Sequence, residues 1–440
     1  MTLSPDDRSR AVAGSTPIAN TLAEVVERVL GAPLPIRLRA WDGSEAGPHG
    51  GPVGVIRSRR ALRRLLWDPN ELGLARAYVS GDLDVEGDLG EALALFWELT
   101  RENKISRPKL ALRDKAGLFA KAVRLGVVGP RPRPPAEEAR LSGQEHTKAR
   151  DRAAIAHHYD LSNAFYERVL DPQMAYSCGY WTSADPEYTV EDAQRDKLDL
   201  VCAKLGLRPG MRMLDAGCGW GSLSVHAAKY YGVHVTGITL SKEQRKFILD
   251  RVKAEGLTDQ VEVRLQDYRE LDDPPFDAIG TLEMGEHVGA GNYPVYAATL
   301  YRMLKPEGRL LLQQMSRGAV AQGGGAFIET YIAPDMNMRP VGQTIDLLTD
   351  AGLEVRDVEA LREHYVWTIE AWARTLERNR DELVALAGEQ QFRVWRLYMV
   401  GSAGAFRENR MGVDQILAVR PTATGSSGLP RTRAELLEKA

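Results

Sequence analysis

The spacing of apolar residues divides the chain into a short and a long region of regular structure. Near the start, LAEVVERVLG (22–31) has apolar residues at helical spacing and ends at a glycine, and RALRRLLWDP (60–69) has the same helical pattern. Between them, IRLRAWDG (36–43) and VGVIRS (53–58) alternate apolar and polar residues as strands do. These patterns predict a small mixed α/β domain over residues 18–103.

The longer region begins near residue 141 and alternates strand patterns with helix patterns. The predicted strands are MRMLDA, VHVTGITL, VEVRLQD, FDAIGTLE and GRLLLQQM. The predicted helices or helix starts are AHHYD, SLSVHAAKYY, KEQRKFILDRVKAEG, VYAATLYRMLK and QTIDLLTDAG. Such alternation is typical of a doubly wound, mostly parallel sheet with helices on both faces. We therefore predict one large α/β domain over residues 141–420.

The segments outside these two domains have distinct compositions. Residues 1–17 are small and polar and are predicted to be disordered, and residues 421–440 are predicted to form a flexible tail. Residues 104–140 combine a basic amphipathic segment with a proline-rich linker, and the window 101–150 holds 13 Lys and Arg against 5 Asp and Glu. Its part KLALRDKAGLFAKAVRLGVVG (109–129) is either a membrane-surface helix or an ordinary surface helix packed on the protein.

Composition and charge limit the classes of function. The chain has 440 residues and a net charge of −3, which argues against nucleic acid as a partner. The three cysteines, at positions 178, 202 and 218, are too few for a disulfide framework and do not have the spacing of a metal site. We therefore expect no bound metal and a cytoplasmic location. No apolar stretch is long enough to span a bilayer, so a protein acting on membrane lipid must associate peripherally with the inner face of the membrane.

One glycine-rich motif indicates a nucleotide-containing ligand. LDAGCGWGS (214–222) lies where a predicted strand ends and a helix begins, and such turns present backbone amides to a ligand. The same turn also occurs in dinucleotide-binding folds, or with no ligand at all. Its G-x-G-x-G spacing, and a second strand ending in GITLSKEQ without an acidic residue for a ribose, favour S-adenosylmethionine over NAD.

Several longer motifs follow one another in a recognisable order. They are HHYDLSNAFYERVLDPQMAYSCGYW (157–181), LDAGCGWGS, GITLSKEQ, GEHVGAGNY (285–293), REHYVWTIEAW (362–372) and FRVWRLYMVGSAGAFRENRMGVDQ (392–415). Over roughly residues 145–420 the chain resembles the cyclopropane-fatty-acyl-phospholipid synthases, a family related to mycolic acid cyclopropane synthases. AYVSGDLDVEGDL (77–89) is similar to the small N-terminal domain of full-length members, which implies lipid binding or dimerisation there.

The resemblance implies a Rossmann-like class I methyltransferase fold and a particular reaction. Members transfer the methyl group of S-adenosylmethionine to a cis double bond in an unsaturated phospholipid acyl chain of the oleoyl type. The reaction passes through a carbocation, and a bicarbonate ion serves as the active-site base. A homodimer is implied as well. Because a carbocation must be kept from water and near π faces until it loses a proton, the site should be apolar and closed.

Particular positions are implied by the family's motifs. The bicarbonate ligands correspond to Cys178, Glu286 and Tyr365. The cofactor-binding residues correspond to Tyr159, Ser177, Asp215, Gly217, Gly219, Thr239, Gln244, Asp267 and Tyr268.

Two positions depart from the family pattern. Gln313, in LLQQM, stands where cyclopropane-forming members have a histidine that binds the bicarbonate, and Glu283 stands where many members have glycine. We expect both residues to alter the position or strength of the base. The carbocation can close a cyclopropane, or it can undergo a hydride shift and leave a 10-methylene chain. We favour the 10-methylene product of the actinobacterial branch, with a separate reductase completing a 10-methyl (tuberculostearic-type) chain.

Other functions remain open at this point. The first alternative is a cyclopropane synthase on the same substrate. A methyltransferase acting on a small molecule is a second, although it has no need of the Cys178, Glu286 and Tyr365 set. A lipid-binding protein without catalytic activity is a third, which binding of S-adenosylmethionine without turnover would favour.

Overall fold

The computed structural model describes residues 17–102, 112–139, 141–159, 162–318 and 324–437. The chain divides into two compact units between Ala136 and Glu137. The predicted disordered N-terminus lies outside the described residues except for Pro17, and so do the first residues of the predicted basic segment, 104–111. The division into domains at 103 and 140 stays a prediction.

The first unit is a small four-stranded sheet with helices. Its elements are α1 (Ile18–Leu30), β1 (Arg37–Arg39), β2 (Glu45–Ala46), β3 (Val53–Ile56), α2 (Arg59–Trp67), α3 (Glu71–Val79), β4 (Leu83–Glu86), α4 (Leu89–Glu102) and α5 (Leu112–Arg124). The strand order is β2-β1-β3-β4, and only the β1–β3 pair is parallel. Periodicity thus located the two helices and two strands predicted in this region.

A buried carboxylate ties this unit together. Asp82 accepts hydrogen bonds from Ser58 at 2.7 Å, Ser80 at 2.9 Å, Arg60 at 3.0 Å and Arg64 at 3.2 Å. Two guanidinium groups and two hydroxyls therefore satisfy a charge that would be costly to bury alone.

The second unit contains the large sheet. Its elements are α6 (Lys148–Tyr159), α7 (Asn163–Glu167), α8 (Val190–Leu205), β5 (Arg212–Ala216), α9 (Ser222–Tyr231), β6 (His234–Thr239), α10 (Lys242–Ala254), β7 (Val261–Leu265), β8 (Phe276–Leu282), α11 (Tyr293–Met303), β9 (Leu304–Arg317), α12 (Ala326–Tyr331), α13 (Val341–Asp350), β10 (Glu354–Ala360), α14 (Arg362–Arg378), α15 (Arg380–Ala387), α16 (Glu389–Arg407), β11 (Met411–Val419) and α17 (Arg433–Leu437). Short 3₁₀ turns occupy Tyr268–Glu270 and Gly285–His287.

The strand order of this sheet creates one crevice for a ligand. The order is β10-β11-β9-β8-β5-β6-β7, and β11 alone runs antiparallel to its neighbours. From β5 the chain adds β6 and β7 on one side and then β8 and β9 on the other. Loops leaving the carboxyl ends of β5 and β8 therefore diverge, and ligands of open α/β sheets bind at such a switch point. The predicted α/β fold with a mostly parallel sheet is confirmed.

Two apolar cores hold the sheet between its helices. One contains side chains of α8, α9 and α10, including Val201, Leu223 and Ile248. The other contains side chains of α11 and α13, including Leu300 and Leu348. Because both faces are covered, the central strands are buried along nearly their whole length, as β5 is.

The chain after β11 stays in contact with the second unit. The segment predicted to be a flexible tail is described as far as Leu437 and ends in α17. There Leu436 packs against the core beneath α8, and Arg433 forms an ion pair with Asp357. An apolar side chain and an ion pair thus attach this segment to the second unit, although its polar composition predicted no such attachment.

Candidate active site

The glycine loop and the end of β8 face each other across the crevice. Gly217 has φ +84°, a conformation that side chains other than glycine rarely adopt, and a Cβ there would lie 3.1 Å from Met284. Backbone amides of Gly217 and Cys218 donate to the carbonyl of Ile238 in β6. The loop is therefore anchored to the neighbouring strand, and it leads directly into the N-terminus of α9.

A pocket opens at this point and collects most of the predicted cofactor residues. Six of them line it: Gly217, Gly219, Thr239, Gln244, Asp267 and Tyr268. The other walls include Asp151, Ala154 and Ile155 of α6, Ile238, Leu240, Gln266, Arg269, Glu283, Met284, His287, Val288, Pro334 and Asp335. Its mixed lining suits a ligand with both a charged and an aromatic part.

Hydrogen bonds hold the polar wall of the pocket in place. Thr239 donates to Gln244 at 2.7 Å, so the end of β6 fixes an amide of α10. Asp267 receives three hydrogen bonds from Arg269. Burial alone would raise the pKa of Asp267, but these bonds outweigh it and lower the pKa. Next to it, the buried hydroxyl of Tyr268 has no partner among the described residues, so a bound ligand can supply one.

Two predicted cofactor residues lie behind the pocket wall. Asp215 is buried and accepts from Ser224 at 2.6 Å, so it joins β5 to α9. Burial raises the pKa of Asp215 to about 6. Ser177 accepts from the buried ammonium of Lys197 at 2.8 Å. Neither side chain lines the pocket, and the side chain of Tyr159 lies outside the described part of the chain.

Four of the five predicted catalytic residues meet in one hydrogen-bond network centred on Glu283. Its Oε1 accepts from the backbone amide of Cys178 at 2.7 Å and from Nε2 of Gln313 at 3.0 Å. Its Oε2 accepts from the hydroxyl of Tyr365 at 2.6 Å. Within this network Glu283 is the member that lines the cofactor pocket. The loops after β8 and before α8, strand β9 and helix α14 therefore converge on one carboxylate.

Opposing effects act on the charge of Glu283. Burial raises its pKa, whereas the hydrogen bonds from Tyr365, Cys178 and Gln313 and the positive charge of Lys197 lower it, and the net pKa lies above its usual value. Donors arranged in this way favour the ionised form in surroundings that otherwise oppose it.

The fifth predicted catalytic residue, Glu286, is buried differently. Among the described residues neither of its carboxylate oxygens has a hydrogen-bond partner of acceptable geometry. Burial raises its pKa well above the usual value, and the charge of Glu283 raises it further. The two buried carboxyls therefore oppose each other's ionisation.

The side chains of Cys178 and Gln313 have separate surroundings. The Cys178 thiol points at carbonyls of Gly179 and Leu361, and burial raises its pKa well above the usual value. Cys178 therefore contributes its backbone amide to the network, and its thiol is no nucleophile. Gln313 accepts from Gln415 at 2.9 Å, and Gln415 accepts from buried Lys204 at 2.9 Å.

Aromatic side chains pack beside the glycine loop. Tyr166 lies 4.3 Å from Trp220 of that loop and 5.3 Å from Trp395, measured between ring centres. Tyr176 lies 5.4 Å from Trp372. The indole N–H groups of Trp372 and Trp395 are buried and have no partner among the described residues. The cluster gives this side of the site dry surroundings and π faces.

Sequence patterns did not identify several residues of the site. His287 lines the pocket, and burial lowers its pKa to about 4, so it is neutral. The guanidinium of Arg269 donates hydrogen bonds to the carboxylate of Asp267. Lys197 is fully buried, and its position one turn from Gln194 and Val201 on the inward face of α8 was a signal available in the sequence.

The switch-point crevice, the glycine loop and the mostly parallel sheet define an S-adenosylmethionine-dependent methyltransferase of class I. The chain belongs to the mycolic acid cyclopropane synthetase family, whose model matches residues 146–416. The predicted family, fold and methyl donor are confirmed at this level. None of the described helices is long and apolar enough to cross a bilayer.

Individual relatives cover nearly the whole chain. A probable fatty acid methyltransferase of Pseudomonas putida is 38% identical over 94% of this chain and 99% of its own length. Tuberculostearic acid methyltransferase UfaA1 of Mycobacterium tuberculosis is 31% identical over 92% of this chain and 93% of its own. The structure of mycolic acid cyclopropane synthase CmaA1, complexed with SAH and CTAB, superimposes with a TM-score of 0.57 at 31% identity, covering 61% of this chain and 97% of that one. The protein is thus an enzyme that methylates or cyclopropanates fatty acyl chains.

Proposed function

We propose that the protein transfers the methyl group of S-adenosylmethionine to a cis double bond in the acyl chain of an unsaturated phospholipid. The observation that carries this proposal is the buried Glu283 network, which opens on the cofactor pocket next to an aromatic cluster. A methyltransferase acting on an amine or hydroxyl needs no base this deeply buried, because its substrate already offers a lone pair. Methylation of an alkene does need one, because it ends with loss of a proton from carbon.

The reaction requires a binding site for the methyl donor and surroundings that protect a carbocation, and the residues of the site suit both requirements. The methyl donor would contact the glycine loop, Thr239 and Gln244. It would also contact the hydroxyl of Tyr268, which has no partner among the described residues. The donor supplies an electrophilic methyl group, and the alkene supplies the electron pair for the new carbon–carbon bond. The rings packed beside the glycine loop, such as those of Tyr166 and Trp395, would shield the resulting cation from water and face it with π electrons.

For the product we favour a 10-methylene acyl chain, with a cyclopropane as the alternative. Gln313 supports this choice because an amide can donate a hydrogen bond but cannot supply the positive charge of a histidine. The similarity to a tuberculostearic acid methyltransferase over 92% of the chain also supports it. Reduction of the methylene group needs a separate enzyme, since the sequence contains no recognisable nicotinamide or flavin motif.

The first unit offers a surface for the membrane. Trp67 of α2 is 52% exposed and its indole donates to the carbonyl of Gly129, which places α2 beside the chain that follows α5. On α5, Phe119 and Val123 lie one turn apart and are 62% and 54% exposed. The last turn of α5 also carries Lys121 and Arg124. Such a surface fits peripheral binding to the anionic inner face of the membrane.

The test is turnover on defined vesicles. The protein is incubated with S-adenosylmethionine and vesicles of oleoyl phospholipid, and the released fatty acids are analysed by mass spectrometry. We expect a fatty acid heavier by one methylene group, formed together with an equal amount of S-adenosylhomocysteine. Vesicles of stearoyl phospholipid, which lack the double bond, serve as the control. Equal methylation of both kinds of vesicle, or of neither, would contradict the proposal.

A further inference from the structure

A carboxylate of the protein itself occupies the centre of the site at which the family resemblance implies a bicarbonate ion. Two of the implied bicarbonate ligands, Cys178 and Tyr365, bind Glu283, and so does Gln313, which stands where cyclopropane-forming members have a further ligand, a histidine. We propose that Glu283 is the base that removes the proton from the carbocation, and that the enzyme works without bicarbonate. This inference rests on the proposed alkene methylation.

Counting the donors shows that bicarbonate does not fit. The Tyr365 hydroxyl has one proton and the Cys178 amide has one, and both point at Glu283. The amide of Gln313 has two, which go to Glu283 and to the carbonyl of Cys178. No donor of this set remains for a second anion. A second anion beside these groups would also be repelled by the charge of the Glu283 carboxylate.

The backbone of Glu283 adopts an unfavourable conformation at this position in the network. Its φ is +54°, a left-handed conformation that a residue with a Cβ adopts only at a cost in free energy. Glycine would adopt the same backbone without that cost. The conformation directs the carboxylate to its three donors and to the pocket wall at the same time.

The proton transfer balances without any further reagent. The alkene π pair forms the bond to the transferred methyl group, and the sulfur of the donor keeps the pair of the broken S–CH₃ bond. Glu283 then accepts a proton from carbon, and the freed C–H pair closes a ring or forms the exocyclic double bond after a hydride shift. Glu283 leaves the step as a neutral acid and returns its proton to solvent. Tyr365, Gln313 and the Cys178 amide act as positioning groups.

The decisive variant is Glu283→Gly, which relieves the backbone strain and leaves an opening the size of a small carboxylate beside three free donors. In buffer freed of carbon dioxide we expect the wild type to keep its full rate. The variant should lose about 100-fold or more, the range that a positioned base contributes. Added sodium bicarbonate, formate or acetate should restore a large part of the variant's rate. Glu307→Gly is the matched control, because exposed Glu307 also has a positive φ, +65°, and lies outside the site.

A second measurement does not depend on turnover. Melting temperatures are recorded with sodium bicarbonate and with sodium chloride at equal pH and ionic strength. Bicarbonate should raise the melting temperature of Glu283→Gly, because a ligand of the folded state stabilises it, and should leave the wild type and Glu307→Gly unchanged.

The outcomes separate this inference from the proposed function. A wild-type enzyme whose rate falls when carbon dioxide is removed, or which bicarbonate stabilises, overturns the inference and leaves alkene methylation intact. A folded Glu283→Gly that works fully without added anion, or that no small carboxylate restores, overturns it as well. If no lipid is methylated by any variant, the proposed function fails, and the melting temperatures still decide whether Glu283 occupies an anion site.

Discussion

Replacing Tyr365 with phenylalanine removes a single hydroxyl from the Glu283 network. That hydroxyl donates to Oε2 of Glu283 at 2.6 Å, while the Cys178 amide and Gln313 bind Oε1. The ring itself stays packed, because Tyr365 lies 4.7 Å from Phe406 between ring centres. The change therefore withdraws one of three donors from the carboxylate and leaves the apolar packing in place.

The size of the effect follows from the strength of a hydrogen bond to a charged group. Such a bond contributes about 1.5–3 kcal/mol, and about 1.4 kcal/mol corresponds to one pKa unit. Tyr365→Phe should therefore raise the pKa of Glu283 by about 1–2 units. Burial already places this pKa above its usual value, so the substitution moves ionisation of the base to still higher pH.

The assay is the rate of S-adenosylhomocysteine formation on oleoyl vesicles as a function of pH, at saturating S-adenosylmethionine. A base acts in its ionised form, so the rate rises with pH through the pKa of Glu283. We expect this rise to move to higher pH by about 1–2 units in Tyr365→Phe. Tyr293→Phe is the control, because that buried hydroxyl donates at 2.6 Å to the neutral amide of Gln314. An unchanged midpoint in Tyr365→Phe would refute Glu283 as the titrating base.

Three further changes test other parts of the site. Gly217→Ala should weaken S-adenosylmethionine binding by about 5- to 100-fold, because strained backbone costs about 1–3 kcal/mol and the new Cβ would lie 3.1 Å from Met284. Calorimetry measures the binding affinity, with Gly342→Ala as the control. Equal affinities for the two variants would contradict this prediction. Asp215→Asn should raise the melting temperature at pH 8. The pKa of the buried Asp215 carboxyl is about 6 in the folded protein and near 3.8 in the unfolded chain, so the folded protein loses about 3 kcal/mol of stability as the pH rises through this interval. That difference should shrink towards pH 4, and a difference independent of pH would count against a buried charge. Gln313→His should shift the product ratio towards the cyclopropane, as measured by proton NMR, and an unchanged ratio would show that Gln313 does not control the product.

Periodicity predicted the parallel part of the sheet because those strands are buried on both faces and separated by amphipathic helices. It did not predict β10 and β11. The edge strand β10, EVRDVEA, places charged residues among its apolar ones, and its residues are at most half-buried. Its pairing with β11 joins residues about sixty positions apart, such as Glu354 and Val419. Pairing between residues so far apart depends on how the helices between the two strands pack. The local pattern of apolar and polar residues carries no information about that packing.

The glycine loop was predictable because its chemistry is local, with a strand end, a glycine turn and a helix start within nine residues. The Glu283 network is different, because its members come from four separate parts of the chain. The sequence marked Glu283 and Gln313 as departures from the family, yet only the fold shows that one donates to the other. The positive φ of Glu283 and the direction of the Cys178 thiol are likewise consequences of packing, and no spacing in the sequence indicates them.

The most direct test of alkene methylation follows the transferred carbon. The protein is given S-adenosylmethionine labelled with ¹³C in its methyl group together with oleoyl phospholipid vesicles, and the total lipid is examined by ¹³C NMR before and after release of the fatty acids. We expect the label to stay with the fatty acid, as an exocyclic methylene carbon or, in the alternative, as a cyclopropane ring carbon. Label bound to nitrogen or oxygen of a head group would contradict the assignment of the acyl double bond as the site of methylation.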